Sequence, residues 1–247
     1  GRLAAQSGNE SGALKRFSDA LALEGSGEDV LGEVEAYLDG GLGLEAAAIL
    51  GPVVREREDW DRLERILLVE IANLEQPEDI GARLIELADL RQFRKNDPFS
   101  AFDAYVELLL IQPGNDSARK QLERLADSLN RWADVAQLYG RIGIGGVCAA
   151  DDDDMAAMYS RAQARLLEER EQAFEAARDV LEQVCSQLGD SDEVLSDLER
   201  LNTRIEDWSA LVEIYSRQIV RTDESSVRVA LLANQAEVNE TYLEDVS

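Results

Sequence analysis

The chain has 247 residues, 45% of them apolar and only 6% aromatic, with 51 acidic against 25 basic residues and a net charge of −26. Such a surface repels nucleic acid and anionic membrane and favours basic partners or cations. Histidine is absent, which removes histidine-based triads, histidine metal ligands and histidine pH switches.

Two cysteines, Cys148 and Cys185, stand far apart in sequence. They make no disulfide framework and are too few for a zinc site. Alanine, leucine, glutamate and arginine dominate, all good helix formers. No segment alternates with the two-residue period of a strand. No apolar run reaches the roughly 18 residues that would span a bilayer.

In chain order, GALKRFSDALAL from Gly12 opens with a helical stripe carried by Ala13, Phe17 and Ala20. The stretch EDVLGEVEAYLDGGLG, 28–43, adds about sixteen residues relative to later parts of the chain and predicts a lengthened or extra helix. Then a repeat sets in. Trp60 begins WDRLERIL, Trp132 begins WADVAQLY and Trp208 begins WSALVEIY, each with apolar residues at helical spacing. The fifteen residues before each tryptophan, from Glu45, Ser117 and Glu193, align without gaps, and Ala101 and Ala173 each stand 41 residues after one. The chain therefore divides into periods of about 74 residues, 45–116, 117–192 and an incomplete 193–247, behind divergent units at 1–44.

The middle period predicts four helices, about 117–129, 131–142, 152–169 and 171–188, joined by short turns carrying Gly, Asn, Asp or Pro. Asp97-Pro98 reads as a helix start and QPGND from Gln112 as a stop. The tryptophans end amphipathic stripes and read as core residues holding helices together. So do the small residues Ala101, Ala104, Ala173 and Ala176.

Between the second and third helices of that period lies YGRIGIGGVCAADDDD, from Tyr139. A dinucleotide loop needs a third glycine and a preceding strand, and a phosphate loop needs a lysine. Neither condition is met. The glycines predict a shortened Trp132 helix, and the aspartates 151–154 a helix start, where carboxylates suit the exposed N–H groups. A calcium or magnesium site at 151–154 is the alternative, without the spacing of an EF-hand. Acidic pairs such as Asp59 with Asp61 and Glu168 with Glu169 fall on predicted solvent faces, and Cys148 has no histidine to activate it. The reading is of a protein that is not an enzyme and takes no cofactor.

Ala101, Tyr105, Leu108 and Pro113 stand at the spacing of the second helix of a tetratricopeptide (TPR) repeat. Ala13, Phe17 and Ala20 repeat it, as do Ala173, Ala177 and Val180, with Cys185 in place of the usual proline. RLIELADLRQF (Leu87, Ala88) and LLANQAEVNETYLED (Leu232, Ala236) resemble first helices. Trp132, Val135, Ala136 and Tyr139 fit the W-x-x-L-G-x-x-Y spacing, as do Trp208, Leu211, Val212 and Tyr215. The chain resembles the long TPR arrays of some bacteria, in which tryptophan-bearing units alternate with ordinary ones.

The resemblance implies an all-α fold, a single right-handed superhelical solenoid over 1–247 with a concave surface lined by first helices. It implies a protein–protein interaction scaffold. Carboxylate-gripping TPR modules carry Lys, Asn and Arg on that face, whereas here it shows Ile85, Asp89, Gln92, Ala233, Glu237 and Glu240. An acidic groove suits a basic or amphipathic peptide or protein, with Asp89, Gln92, Glu237 and Glu240 as the expected contacts. The alternative is a structural spacer or self-assembling rod, joined end to end through uncapped repeat faces. Nucleic-acid binding needs a basic stripe that the sequence lacks. Both ends fall inside repeats and the chain begins GRLAAQSG without a methionine, so a longer parent is expected. A cytoplasmic location fits the cysteine usage, or a periplasmic one behind a leader not in this sequence.

Overall fold

The computed structural model describes residues 10–21, 28–148 and 152–243. Among these residues every regular element is helical. In order they are α1 (Glu10–Leu21), α2 (Glu28–Glu35), α3 (Gly43–Glu56), α4 (Trp60–Asn73), α5 (Pro77–Asp89), a π-helical turn (Leu90–Arg94), α6 (Pro98–Ile111), α7 (Asp116–Leu129), α8 (Trp132–Ile142), α9 (Asp153–Glu169), α10 (Phe174–Leu188), α11 (Asp192–Ile205), α12 (Trp208–Arg221) and α13 (Ser225–Tyr242). The fold is all-α. The four helices expected in 117–188 are present, and the inserted stretch at 28–43 forms the short helix α2 and a string of turns.

The chain divides into two compact units, Gly1–Leu125 and Ala126–Ser247, with the division inside α7. In the first unit α4 packs on α3 and α5, and α5 on α6. Leu50, Val54, Ile66, Leu67, Leu84, Ala88, Phe102 and Leu108 are buried there. In the second unit α9 packs on α8 and α10, α11 on α10 and α12, and α12 on α13. One apolar cluster joins Ala177, Leu181, Val184, Leu195, Leu198 and Ile214, and a smaller one joins Leu211, Tyr215 and Val238. Each such aliphatic side chain contributes roughly 1.5–3 kcal/mol through removal from water.

The turns before the tryptophans share one construction. Glu58, Asn130 and Glu206 have positive φ (53°, 55° and 60°) and stand two residues before Trp60, Trp132 and Trp208. The next residue sends its backbone N–H back to the carbonyl five residues earlier: Asp59 to Val54, Arg131 to Ala126, Asp207 to Asn202. That is the 6→1 bond of a Schellman motif, which satisfies carbonyls the ending helix leaves orphaned. Asp59 and Asp207 then serve the next helix, their side chains accepting from the N–H groups of Arg62 and Ala210. One residue thus closes a helix and opens the next. Asn96 and Gln172 repeat the positive φ ahead of Pro98 and Phe174. Residues 171–173, expected in a helix, belong to this turn, because a left-handed residue at 172 ends the α-helical path.

The tryptophans are half-buried at helix starts rather than enclosed in the core. A side chain 34 to 38 residues further on covers each ring. Arg94 lies 5.1 Å from the Trp60 ring centre and Arg170 4.7 Å from that of Trp132, while Tyr242 stacks on Trp208 at 3.8 Å. They still tie helices together, but from the rim, where a cation or a second ring can reach the π face.

Candidate functional site: an aromatic cleft beside Asp89

The α5 helix does not stop cleanly at Asp89. It widens into the π-helical turn Leu90–Arg94, and a π-turn inserts one residue into the helical register. Leu90 turns into the core, while Phe93 is left 66% exposed. The turn is pinned from α4 and from the start of α6. Arg91 donates to Glu64 at 2.7 Å and to the Ser100 carbonyl at 3.0 Å, and Lys95 donates to Asp61 and Glu64 at 2.6 Å each. Burial of Glu64 opposes its charge, but the hydrogen bonds from Lys95 and Arg91 outweigh it and hold the carboxyl below the usual range.

The result is an open cleft of about 500 Å³, with Trp60, Leu63, Leu90 and Phe93 as its apolar wall. Glu86 and Asp89 bring carboxylates to it. Two arginines also reach it, but both are engaged: Arg55 donates two hydrogen bonds to Glu86, at 2.8 and 3.0 Å, and Arg94 covers Trp60. Asp89 is exposed and accepts only a long contact, 3.5 Å, from the Tyr105 hydroxyl. Burial above all, then the Asp89 charge, pushes the Tyr105 phenol up to about 12.

Of the four expected contact residues, Asp89 lines this cleft. Gln92 does not; it is half-buried, and its Oε1 is shut from solvent without a hydrogen-bond donor. Glu237 and Glu240 belong to the second unit, both exposed on α13. Burial first, then Glu199 and Glu237, raise the Tyr215 phenol above its ordinary range, so Glu237 lies within electrostatic reach of that ring. Phe93 and the π-turn carry no periodic signal. An inserted residue in LRQFRKND leaves the apolar spacing ordinary on both sides, and only the exposed aromatic betrays it.

The glycine stretch is a connector. The N–H of Gly143 donates to Tyr139, Gly146 to Gly143, Val147 to Arg141, Cys148 to Ile142 and Ile144 to Ser160 Oγ. A phosphate would need these donors free. Gly146 is required sterically, since a Cβ there would lie 2.1 Å from the Arg141 carbonyl oxygen. α8 is 11 residues long against 14 for α4 and α12, as the glycines predict. Asp152 caps α9 by accepting from the Met155 N–H, and Asp153 and Asp154 occupy its first turn. Asp151 lies outside the described residues. Among the described residues, no three Asp, Glu or Cys side chains gather closely enough to hold a metal ion.

Of the acidic pairs, Asp59 caps α4 and Asp61 meets Lys95, while Glu168, expected on a solvent face, is instead buried against Arg200 because α9 packs that side inward. Both cysteines are buried. Burial foremost pushes the Cys185 thiol up to about 11, which keeps it protonated near neutrality. No described helix is long and apolar enough to cross a membrane. Comparison with protein-family models and with curated proteins finds no match to this chain.

Proposed function

We propose that the chain is a protein-interaction scaffold: a right-handed superhelix of TPR-like helix pairs whose acidic concave surface takes a basic or amphipathic segment of another protein. The observation that carries the reading is the cleft beside Asp89. An aromatic side chain left 66% exposed within an apolar recess is a ready anchor point, and the exposed Asp89 carboxylate beside it favours a cationic flank. The recurring left-handed turns ahead of each tryptophan support the repeated architecture. The net charge of −26 makes basic partners the favoured class and steers their approach.

A fluorescent 14-residue amphipathic helix of Leu and Lys is the probe. Binding is expected to weaken at least tenfold, about 1.4 kcal/mol, in a Phe93→Ala, Asp89→Lys variant. Hydrogen exchange on the complex should slow over 85–99. Binding that ignores both substitutions overturns the reading. So does a chain that binds nothing but grows in mass with concentration, which is the behaviour of a self-assembling rod. Small-angle scattering tests the superhelix itself. A compact globule of this length has a radius of gyration of about 18 Å, and an elongated array must exceed it clearly.

A further inference from the structure

A second cleft, of about 690 Å³, lies wholly within the second unit. One wall is a single stripe of α9. Asp154, Met158, Arg161 and Arg165 follow at intervals of four, three and four residues and so share a helix face. The other wall runs from the last turn of α10 through Gly189 to the first turn of α11, with Leu188 at one end and Glu193 at the other. Val184 and Val194, both buried, form an apolar floor. Above it Met158 is 44% and Leu188 37% exposed.

The charges around this cleft divide into those spent inside the protein and those left over. Arg217 donates to both carboxylate oxygens of Asp190, at 3.1 and 2.5 Å, which holds that carboxyl below its usual range. Arg161 donates twice to Asp197, at 3.1 and 2.9 Å. Asp153, Asp154 and Glu193 show no hydrogen bond or ion pair to another described side chain, and neither does Arg165. Helix-start preference accounts for carboxylates at the start of α9 and of α11. It does not account for the two starts converging on one cleft with exposed Met158 and Leu188 above a valine floor.

We infer that this cleft is a docking site for a partner-protein segment bearing a Lys or Arg, a long aliphatic side chain and an Asp or Glu, in that order. The basic residue meets Asp153, Asp154 and Glu193. The aliphatic one enters between Met158 and Leu188 over the valine floor, and the acidic one meets Arg165. From Asp154 to Arg165 the stripe rises about 16 Å, three helical turns of a ligand or about five extended residues. The order of charges fixes the direction in which the segment lies, a form of specificity that net charge alone cannot supply. A second copy of this chain is disfavoured as the occupant, since each copy brings a net charge of −26. The inference extends the scaffold reading to another site and does not depend on the Phe93 cleft.

The chain has two methionines, Met155 and Met158. Only Met158 lines the cleft, so ¹³C-methyl methionine NMR on the full chain contains its own control. The probe is a synthetic three-turn helical peptide with Lys, Leu and Glu on one face. The Met158 methyl is expected to shift on titration while Met155 stays in place. Asp153→Asn, Asp154→Asn and Glu193→Gln together should weaken binding at least tenfold, Arg165→Gln several-fold, and a Leu→Ser peptide should not bind. These positions are exposed or half-exposed and make no internal bond, so the variants are expected to fold, which circular dichroism checks. A Met158 methyl unmoved at millimolar peptide overturns the proposal, as does equal binding by the charge variants or by the serine peptide. A Met158 shift that follows protein concentration without peptide overturns it in favour of a second copy.

Discussion

Glu168 is a carboxylate only 5% exposed, facing Arg200 and Arg204, which are 47% and 58% exposed. Burial opposes the charge on Arg200, yet its hydrogen bonds to Glu168 and Asp197 outweigh this and raise it above its ordinary range. The arrangement is asymmetric. Without Arg200 the carboxylate stays buried, held only by the more distant Arg204, at 3.7 Å. Without the carboxylate charge, both guanidiniums still reach water. Breaking a buried pair is costly mainly for the charge left behind. Arg200→Ala is therefore expected to cost about 2 kcal/mol and Glu168→Gln about 1 kcal/mol or less. Urea unfolding of the two variants measures this, and a larger loss in Glu168→Gln refutes the asymmetry. Residue-scale features of this kind were poorly legible in the sequence. The pair Glu168–Glu169 looks like one solvent-facing doublet, and only the packing of α9 on its neighbours separates a buried member from an exposed one. The tryptophans show the same limit. Their spacing marks helix starts correctly, but Arg94, Arg170 and Tyr242 lie a helix further on, where no local pattern names them as the ring covers.

Helices themselves were well legible, because amphipathic spacing and caps are local properties. Their ends were less so. Gly or Asn is the usual signature of a left-handed residue closing a helix, and Asn96 and Asn130 carry it. Glu58, Gln172 and Glu206 adopt the same conformation with side chains that give no such signal. Each forces a Cβ into the left-handed region, which costs roughly 1–2 kcal/mol relative to glycine, partly offset by the greater freedom glycine has when unfolded. Glu58→Gly and Glu206→Gly are thus expected to stabilise by about 0.5–1 kcal/mol each, raising Tm by about 1–4 °C for a chain of this size. Asn130→Gly should gain less, since Asn tolerates the conformation. Calorimetry on the three variants decides it, and a lowered Tm for Glu206→Gly means that its side chain does more than occupy a turn. The clefts were the least legible element-scale features. The aromatic cleft depends on a π-turn, and the α9 cleft draws on residues 153–165 and 184–194, which share no motif.

At the scale of the whole molecule, the missing histidines and the excess of carboxylates make one testable pattern of stability against pH. Histidine, the side chain whose ordinary pKa lies between about pH 5.5 and 8, is absent, so stability is expected to be flat there. Glu64, Asp97 and Asp190 have carboxyls held below their usual range: Glu64 by Lys95 and Arg91 against burial, Asp97 by Ser100, and Asp190 by Arg217. A depressed folded pKa means the unfolded chain binds the proton more readily. The stability these groups confer is fully present above the ordinary range, about pH 4, and is lost as pH falls through their lowered values. Acid also discharges the excess of carboxylates in a chain of net charge −26, which relieves self-repulsion. A shallow rise as acid discharges the surface, followed by a steep fall as pH drops through those three lowered values, is therefore expected. At the alkaline end the signs reverse. Burial raises the Cys185 thiol to about 11 and the Tyr105 phenol to about 12. Stability from their neutral forms is complete below their unfolded values, about 8.5 and 10, and declines as pH climbs through the raised ones. Asp190→Asn isolates one group from this sum. Its Tm should lie below the parent's by a constant margin from pH 5 to 8, and the two curves should converge as pH falls through the parent's lowered Asp190 value. A margin that persists or widens in acid would show that Asp190 acts through packing rather than through its charge on Arg217.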